Sequence, residues 1–261
     1  MTTNHRRSLS LASPAVAELV DALTTMPGAV AVVLGGSRAV GSQSEDSDWD
    51  FGVYYHGTLD LTIVNARGTV YPPGSWGRIM NGGAWLTCGD QKVDVLLRDL
   101  DVVEHWTRRA ESGEFEVDTL LGYLAGIPTY TLTAELASCQ LLFGDLPRAP
   151  FPPKLADTAP PWWRSRRSFS LEYARVLGRK GKVAAAVGHA AKAAIEEAHA
   201  RVCEHRTWVC NEKGLLETAG LAGVNALFSQ LPSDSTVLVK WIDRVADQLG
   251  AASSDAPSWK R

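Results

Sequence analysis

The pattern of apolar and polar positions divides the chain into a first part that mixes strands and helices and a second part that is almost entirely helical. Short apolar runs bordered by glycine or polar residues predict buried strands, and apolar positions recurring every three to four residues predict helices. The predicted strands are 29–34, 49–55 and 92–97, and the predicted helices are 14–26, 100–110 and most of 119–142. We therefore expect an α+β fold, with an N-terminal mixed sheet followed by a C-terminal helical bundle.

A proline-rich segment separates the two parts. Six prolines lie between Pro147 and Pro161, and the segment shows no helical period. Because proline removes a backbone donor and disrupts a helix interior, this composition predicts a linker. We expect an N-terminal domain at 1–148, a linker at 149–161 and a helical domain at 162–261. The helices expected in the last domain are 162–177, 183–204, 213–229 and 235–249.

Length and composition exclude several classes of protein. The chain has 261 residues, of which 45% are hydrophobic, and a net charge of −3. A chain of this size can bury a sizeable core, and its charge lacks the basic footprint of a duplex nucleic-acid binder. No segment approaches the ~20 apolar residues of a membrane span, and no signal-peptide pattern is present. The four cysteines lack the spacing of a zinc site, so we expect reduced thiols in a cytoplasmic protein. The charge and the lack of a long apolar segment lead us to expect neither a nucleic-acid nor a membrane partner.

Two acids at the start of the second predicted strand are the first candidate for chemistry. Alternate side chains of a strand share a face, so Asp48 and Asp50 point the same way with their Cα atoms about 6.5 Å apart. Such a pair repels unless a cation lies between the carboxylates, and Mg²⁺ commonly binds one or two carboxylates together with substrate phosphates. The alternative is a solvated turn that leads into the strand.

Asp94 is a third acid, placed within the strand-like run K-V-D-V-L-L. It is either a further metal ligand or an ordinary strand-end acid, exposed at an edge or paired with Arg98. Together with Asp48 and Asp50 it favours a site for two Mg²⁺ ions about 3.5–4 Å apart, the arrangement used in phosphoryl chemistry.

A glycine-rich turn follows the first predicted strand. Gly35 and Gly36 allow close approach of the backbone to a phosphate, Ser37 adds a hydroxyl donor and Arg38 adds a positive charge. We predict that nucleotide phosphates bind here. The nucleotide-binding residues expected in this region are Gly36, Ser37, Arg38 and Ser47.

These elements together resemble a known family. Leu34 to Ser37 reads hydrophobic-G-G-S, Asp48-Trp49-Asp50 follows after ten intervening residues, and Asp94 lies on a later strand. The pattern is similar to the polymerase-beta-type nucleotidyltransferase superfamily, and in particular to bacterial small-molecule, aminoglycoside-type nucleotidyltransferases.

The resemblance implies that Asp48, Asp50 and Asp94 are the catalytic residues and the ligands of two Mg²⁺ ions. It implies transfer of a nucleoside monophosphate, with ATP as the default donor, to a hydroxyl of a small molecule such as an aminoglycoside-like antibiotic or natural product. Pyrophosphate would be released, and antibiotic resistance would be one biological outcome. A homodimer is common among similar proteins.

The turn N-E-K-G in the second part matches this group less completely. The resemblance implies that Lys213 contacts the triphosphate, whereas ordinary helix capping by Asn211 and Glu212 explains the same residues. Similar proteins carry Arg-Gly-Asp before the long helix, where this chain has Lys180-Gly181-Lys182. The departure puts a carboxylate role at that position in question.

Other functions stay open at this point. The acceptor is a macromolecule, protein or RNA, in one alternative, and in another the protein is a non-catalytic nucleotide-binding or antitoxin-like module. A general base is also needed for an enzyme. The candidates are Asp94, Glu114, Glu116, Asp118, Glu196 and Glu197.

Overall fold

The structure is a computed structural model that describes residues 13–251, apart from positions 45, 149 and 233. These residues form two compact units. The first unit comprises the chain up to Arg109 together with Leu132–Pro150. The second unit comprises Ala110–Thr131 and the chain from Phe151 onwards. The order of helices and strands along the chain confirms the α+β prediction, since a mixed sheet comes first and a helical region follows.

A six-stranded mixed sheet is the centre of the first unit. Its strands are β1 Ala29–Leu34, β2 Trp49–Tyr55, β3 Gly68–Tyr71, β4 Gly82–Cys88, β5 Gln91–Asp99 and β8 Gln140–Phe143. They lie in the order β3-β4-β5-β2-β1-β8, with β2 and β5 parallel and the other neighbouring pairs antiparallel. The helices of this unit are α1 Pro14–Thr24, α2 Gly36–Val40, α3 Thr62–Asn65, α4 Gly77–Met80, α5 Leu100–Glu111 and α6 Thr131–Ser138.

Strand alternation gives the sheet a buried face. Helix α1 begins as the sequence predicts, with Pro14 at its first position and the Ser13 hydroxyl accepting a hydrogen bond from the Val16 amide at 3.4 Å. It packs its apolar side on alternate residues of the central strands. Residues of β2, β5 and β4 on this core face are Trp49, Phe51, Val53, Val93, Val95, Leu97, Ala84 and Leu86.

A buried ion pair joins α6 to the opposite face of the sheet. Arg98 of β5 is 1% exposed, and its guanidinium donates to both carboxylate oxygens of Glu135 at 2.7 and 2.8 Å. It also donates to the Met80 carbonyl at 2.8 Å. The two-pronged geometry suits an arginine fork and a carboxylate, and it covers one end of this face. The other end, near the start of β2 and β5, carries Asp50 and Asp94.

The second unit is built on two long helices, α7 Pro153–Arg179 and α8 Val183–Glu204. Small buried side chains such as Ala186, Ala190 and Ala194 let α8 pack closely on its neighbours. The remaining elements are the short strands β6 Val117–Asp118 and β7 Ile127–Pro128 and the helices α9 Leu215–Thr218, α10 Val224–Phe228 and α11 Ser235–Gln248. In the part of the chain that the structure describes, none of the helices has the length and apolar composition needed to cross a membrane.

The domain bounds differ from the sequence prediction at two places. The segment 149–161 is not a linker, because α7 begins at Pro153 and continues through Pro160 and Pro161. Leu155, Ala159 and Trp163 are buried at helical spacing, and their packing outweighs the lost backbone hydrogen bonds. Residues 110–131 also lie in the helical unit and not in an N-terminal domain of 1–148, because Phe115 and Tyr130 pack with Trp163.

Two predicted helices are also wrong. Residues 119–142 hold turns, β7, α6 and β8 instead of one mostly helical stretch, and 213–229 holds the short helices α9 and α10 separated by a turn. Gly126 and Gly220 adopt left-handed backbone conformations at these breaks, with φ of 98° and 69°. A continuous helix does not accommodate such values.

Candidate functional site

The predicted acids meet on the face of the sheet opposite the core. Asp50 of β2 is the register partner of Asp94 of β5, so the two side chains lie side by side on parallel strands. Trp85 of β4 is the next residue in the same row, opposite Asp94. On the other side, the Gly35 amide donates to the Asp50 carbonyl at 2.7 Å. The glycine turn, the two acids and Trp85 therefore form one row across four strands.

Gly36 brings the glycine turn into direct contact with Asp50. Its φ is 60°, and a Cβ atom at this position would collide with Oδ2 of Asp50. Only glycine tolerates both the left-handed backbone and this approach. Ser37 follows in α2, whose first residues lie beside the carboxylate. The turn and the acid pair that the sequence predicted to be adjacent are thus adjacent in space.

Asp48 lies just before β2 and is exposed. Burial raises the pKa of Asp94, the nearby negative charge of Asp48 raises it further, and Lys92 acts in the opposite direction. Mutual influence of two carboxylates is expected when they are close in a partly desolvated place. Asp94 does not pair with Arg98, because they lie four residues apart along β5, at ~3.3 Å per residue, and the Arg98 guanidinium binds Glu135. One of the alternatives left by the sequence is therefore removed.

Arg38 holds the loop that carries Asp48. Its guanidinium donates to the carbonyl oxygens of Ser47 at 2.6 Å and Asp48 at 3.2 Å, and it lies 4.3 Å from the centre of the Trp49 ring. The Ser47 hydroxyl in turn accepts from the Ser44 amide at 2.9 Å. The contacts of Arg38 and Ser47 thus organise this loop, and their predicted contact with a nucleotide stays a prediction.

The three acids have the right chemistry and backbone positions to bind a divalent cation, but their side chains are not arranged around one point. Carboxylate oxygens are the ligands that Mg²⁺ prefers, and Asp48, Asp50 and Asp94 occupy neighbouring backbone positions. Among the described residues, however, no group of three or more histidine, cysteine, aspartate or glutamate side chains is gathered closely enough to hold a metal ion. Rotation of the side chains would have to accompany cation binding, and the metal assignment stays a prediction.

The N-E-K-G turn lies in the helical unit and has a structural role. Both Glu212 carboxylate oxygens accept backbone hydrogen bonds, from Leu124 at 2.6 Å and Ala125 at 2.7 Å. The Asn211 side chain accepts from the Lys213 amide at 2.9 Å. The Lys213 side chain is exposed, and its predicted contact with a triphosphate stays a prediction.

The alternative general bases all lie in the second unit. Glu197 is engaged by Arg167 at 2.8 Å, and Glu196 accepts from the Ser170 hydroxyl at 2.7 Å. Burial raises the pKa of Glu196. Both contacts join α7 to α8, which indicates a structural role for these two glutamates. The others, Glu114, Glu116 and Asp118, lie in and around β6.

An aromatic cluster beside Asp94 was not expected from the sequence. Tyr71, Trp76 and Trp85 contact one another, with ring centres 4.7 Å apart for Tyr71 and Trp85 and 5.2 Å apart for Tyr71 and Trp76. Trp85 is 53% exposed. The available signal was the alternation of Trp85 with the apolar residues Ala84 and Leu86, because a strand places the tryptophan on the face opposite theirs.

Comparison with known proteins finds similarity to solved structures but not to sequence families. No protein-family model and no curated protein sequence matches the chain. Among solved structures it is similar to a nucleotidyltransferase-like protein from Exiguobacterium sibiricum 255-15, with 14% sequence identity and a TM-score of 0.43. The likeness covers 90% of this chain and 72% of that protein. Similarity at this level carries no argument for a fold or an activity, so the function is argued from the residues of this chain.

Proposed function

We propose that this protein is a nucleotidyltransferase, which transfers a nucleoside monophosphate to a hydroxyl group of a small molecule and releases pyrophosphate. ATP is the first donor to test, and aminoglycoside-type antibiotics are the first acceptors. The observation that carries the proposal is the pairing of Asp50 with Asp94 on adjacent strands, directly beside the glycine turn. A glycine turn next to two neighbouring acids suits phosphoryl transfer, in which charge stabilisation and positioning supply most of the catalysis.

Each part of the row has a role in this proposal. Asp48, Asp50 and Asp94 would hold Mg²⁺, which when bound neutralises phosphate charge and polarises the reacting phosphorus. The backbone amides of Gly36 and Ser37 would bind the outer phosphates. Asp94 would accept the proton of the attacking hydroxyl. The new bond joins the hydroxyl oxygen to the α-phosphorus, and the bond from that phosphorus to the pyrophosphate oxygen breaks.

The direct test is pyrophosphate release by the full chain. Each of the four ribonucleoside triphosphates is incubated with Mg²⁺ and a panel of aminoglycosides and other hydroxyl-bearing small molecules. With a donor and an acceptor that the wild type turns over, Asp50→Asn and Asp94→Asn are expected to lower turnover by about 100- to 1000-fold. Each substitution removes negative charge from the reacting centre. Asp90→Asn is the matched control, since it removes an exposed acid from the turn between β4 and β5.

Two results would count against the proposal. Full turnover by Asp50→Asn would remove this residue from the metal site. No pyrophosphate release with any donor and acceptor, together with tight binding of Mg²⁺ and ATP in calorimetry, would favour the non-catalytic nucleotide-binding module instead.

A further inference from the structure

We propose that the aromatic cluster of Tyr71, Trp76 and Trp85 is the acceptor subsite of the reaction. Its ligand would be a saturated ring that bears hydroxyl groups, such as a sugar or cyclitol ring. The inference rests on the proposed function, because the word acceptor has meaning only if a nucleotide is transferred. The binding site itself is argued from the cluster and its surroundings.

The cluster is a surface feature and contributes nothing to the core of the sheet. The residues that alternate with Trp85 along β4, Ala84 and Leu86, belong to the buried core, whereas Trp85 is 53% exposed on the other face. Tyr71 of β3 and Trp76 of the following loop meet its ring. Tryptophan is a large apolar side chain, and three contacting aromatic rings on one face form an apolar patch, a feature that often marks a binding site.

Gly83 provides the place for the Trp76 ring. A Cβ atom on Gly83 would collide with the six-membered ring of Trp76, so this ring lies directly on the backbone of β4. The ring centres of Trp76 and Trp85 are 6.0 Å apart with an angle of 33° between their planes. The two indoles therefore lie close together at a shallow angle to each other on this face of the sheet.

The loop that carries Trp76 is held in place by Asn81. This residue has φ of 62°, an uncommon conformation for a residue other than glycine. Its side chain accepts from the Gly74 amide at 3.0 Å and donates to the Tyr55 hydroxyl at 2.7 Å, and its carbonyl accepts from the Trp76 amide at 3.0 Å. Asn81 thus fastens the loop to the core of the sheet. Such pre-organisation lowers the entropic cost of binding.

The position of the cluster relative to the acids assigns it to the acceptor and not to the nucleotide. Along the row, the glycine turn lies on one side of Asp50 and Asp94, and Trp85 lies on the other. Neighbouring strands of a sheet are about 5 Å apart, which sets the spacing of this row. In an in-line displacement the attacking and leaving oxygens lie on opposite sides of the phosphorus. If pyrophosphate leaves toward the glycine turn, the hydroxyl approaches from the side of Trp85.

The chemistry of the cluster favours a saturated ring. Aromatic faces carry partial negative charge, and the C–H groups of a saturated ring carry partial positive charge, so the two stack favourably. An ammonium substituent would add a cation–π contact. Hydroxyl groups at the edge of the same ring would lie next to Asp94, where one of them reacts. A nucleobase also stacks on indole rings, and the experiment separates the two ligands.

The test measures binding without turnover. The full chain is saturated with Mg²⁺ and a non-hydrolysable ATP analogue and is titrated in a calorimeter with kanamycin A, spectinomycin and trehalose. Trp85→Ala is expected to weaken binding of at least one probe by about tenfold, which is the scale of losing one stacking partner. Trp85→Phe is expected to retain binding within about threefold, and the affinity for the ATP analogue is expected to be unchanged.

Phe169→Ala is the matched control. Phe169 is 41% exposed and also contacts another ring, that of Tyr173, but it lies on α7 in the helical unit. Its removal should leave probe binding unaltered. Equal probe binding by wild type and Trp85→Ala would overturn the inference, and so would a loss of ATP-analogue binding in Trp85→Ala, which would assign the cluster to the nucleobase. Failure of all three probes to bind the wild type would overturn it as well.

The outcome is separable from that of the proposed function. If a probe binds through Trp85 and no pyrophosphate is released with any donor, the nucleotidyltransferase proposal fails while the ring-binding site stands. If pyrophosphate is released and Trp85→Ala changes neither the KM for the acceptor nor probe binding, the site fails while the enzyme stands.

Discussion

At the scale of single residues, Gly36 shows how backbone conformation and chemistry are joined at the site. Its left-handed backbone would strain any side chain, and the place of its missing Cβ atom is taken by the Asp50 carboxylate. Gly41, at the other end of α2, has φ of 74° but nothing within 4 Å of its missing Cβ atom. The two glycines share a left-handed backbone, and only Gly36 approaches Asp50, so Gly41 serves as a control for Gly36.

Gly36→Ala should lower stability more than Gly41→Ala does, and only Gly36→Ala should weaken binding, because only its Cβ atom would collide with the Asp50 carboxylate. Each places alanine in a left-handed conformation, which costs about 1–2 kcal/mol of unfolding free energy. Only Gly36→Ala displaces Asp50, and we expect it to weaken binding of Mg²⁺ and ATP by about tenfold or more. Thermal unfolding and calorimetric titration of both variants measure the two effects. Equal nucleotide affinity in the two variants would contradict the proposed contact between the turn and the acids.

At the scale of elements, the packing of α7 on α8 buries polar groups that the pattern of each helix alone would place on the surface. Glu196, Glu197 and His199 of α8 are all less than 5% exposed. The glutamates have partners on α7, whereas the His199 ring stacks on Trp163 with ring centres 4.4 Å apart. Among the described residues, Nε2 of His199 has no hydrogen-bond partner. A buried histidine in these surroundings is held in its neutral form.

Stability of the helical unit should consequently fall in mild acid. Burial lowers the pKa of His199 to about 3, while the unfolded chain has an ordinary histidine pKa of about 6.5. Above pH 6.5 both states are neutral and the residue contributes nothing. Between these pKa values only the unfolded state binds the proton, so stability is lost as the pH falls. The loss is about 1.4 kcal/mol per pH unit, or roughly 2–3 kcal/mol between pH 6.5 and 4.5.

Denaturant unfolding at pH 7.5, 6.0 and 4.5 measures this dependence. His199→Phe keeps a ring on Trp163 but removes the titrating group, so its stability should fall less between these pH values than that of the wild type. His205→Phe is the control, because it removes an exposed histidine just after the end of α8. Parallel curves for wild type and His199→Phe would contradict the prediction, because they would show that His199 binds a proton equally in the folded and unfolded states.

At the scale of the whole molecule, the chain passes three times between the two units. Residues 110–131 leave the sheet unit at the end of α5 and return at the start of α6. Their packing partners are residues of α7 and α8, as shown by the Trp163 indole donating to the Tyr130 hydroxyl at 2.9 Å. A cut in the proline-rich segment therefore does not separate the two units.

A fragment of residues 1–148 should accordingly fold incompletely. Phe115, Val117 and Tyr130 lose the residues that cover them, and exposed apolar groups of this kind favour aggregation and proteolysis. We expect limited proteolysis to cleave 110–131 rapidly in the fragment and slowly in the full chain. A fragment that resists cleavage there as well as the full chain does would contradict the division into units.

A shortened sheet unit is the control for that experiment. The hydroxyl groups of Thr107 and Thr133 are 3.1 Å apart, so α5 and α6 come close together near the points where 110–131 leaves and returns. Residues 1–150 with 110–131 replaced by a short Gly-Ser linker should therefore fold. Dispersed amide signals in NMR from this chain, and poor dispersion from the fragment 1–148, are the expected result.

The sequence by itself determined the features that depend on local periodicity and spacing. Helix α8 has the predicted bounds, 183–204, and the three predicted strands become β1, β2 and most of β5. The placement of Asp50 beside the glycine turn also follows from local rules, because adjacent strands bring their ends together. Alternation of side chains within a strand and recurrence within a helix are properties of the backbone, so a short window of sequence contains them.

Only the tertiary structure decided which elements share a core and which side chains meet. Packing of Leu155, Ala159 and Trp163 carries α7 through two prolines that predict a break. The pairing of Arg98 with Glu135 and the meeting of Trp85 with Trp76 join positions far apart in the chain or across a loop. Burial and long-range hydrogen bonds set these outcomes, and their free energy depends on partners that no local window of sequence contains.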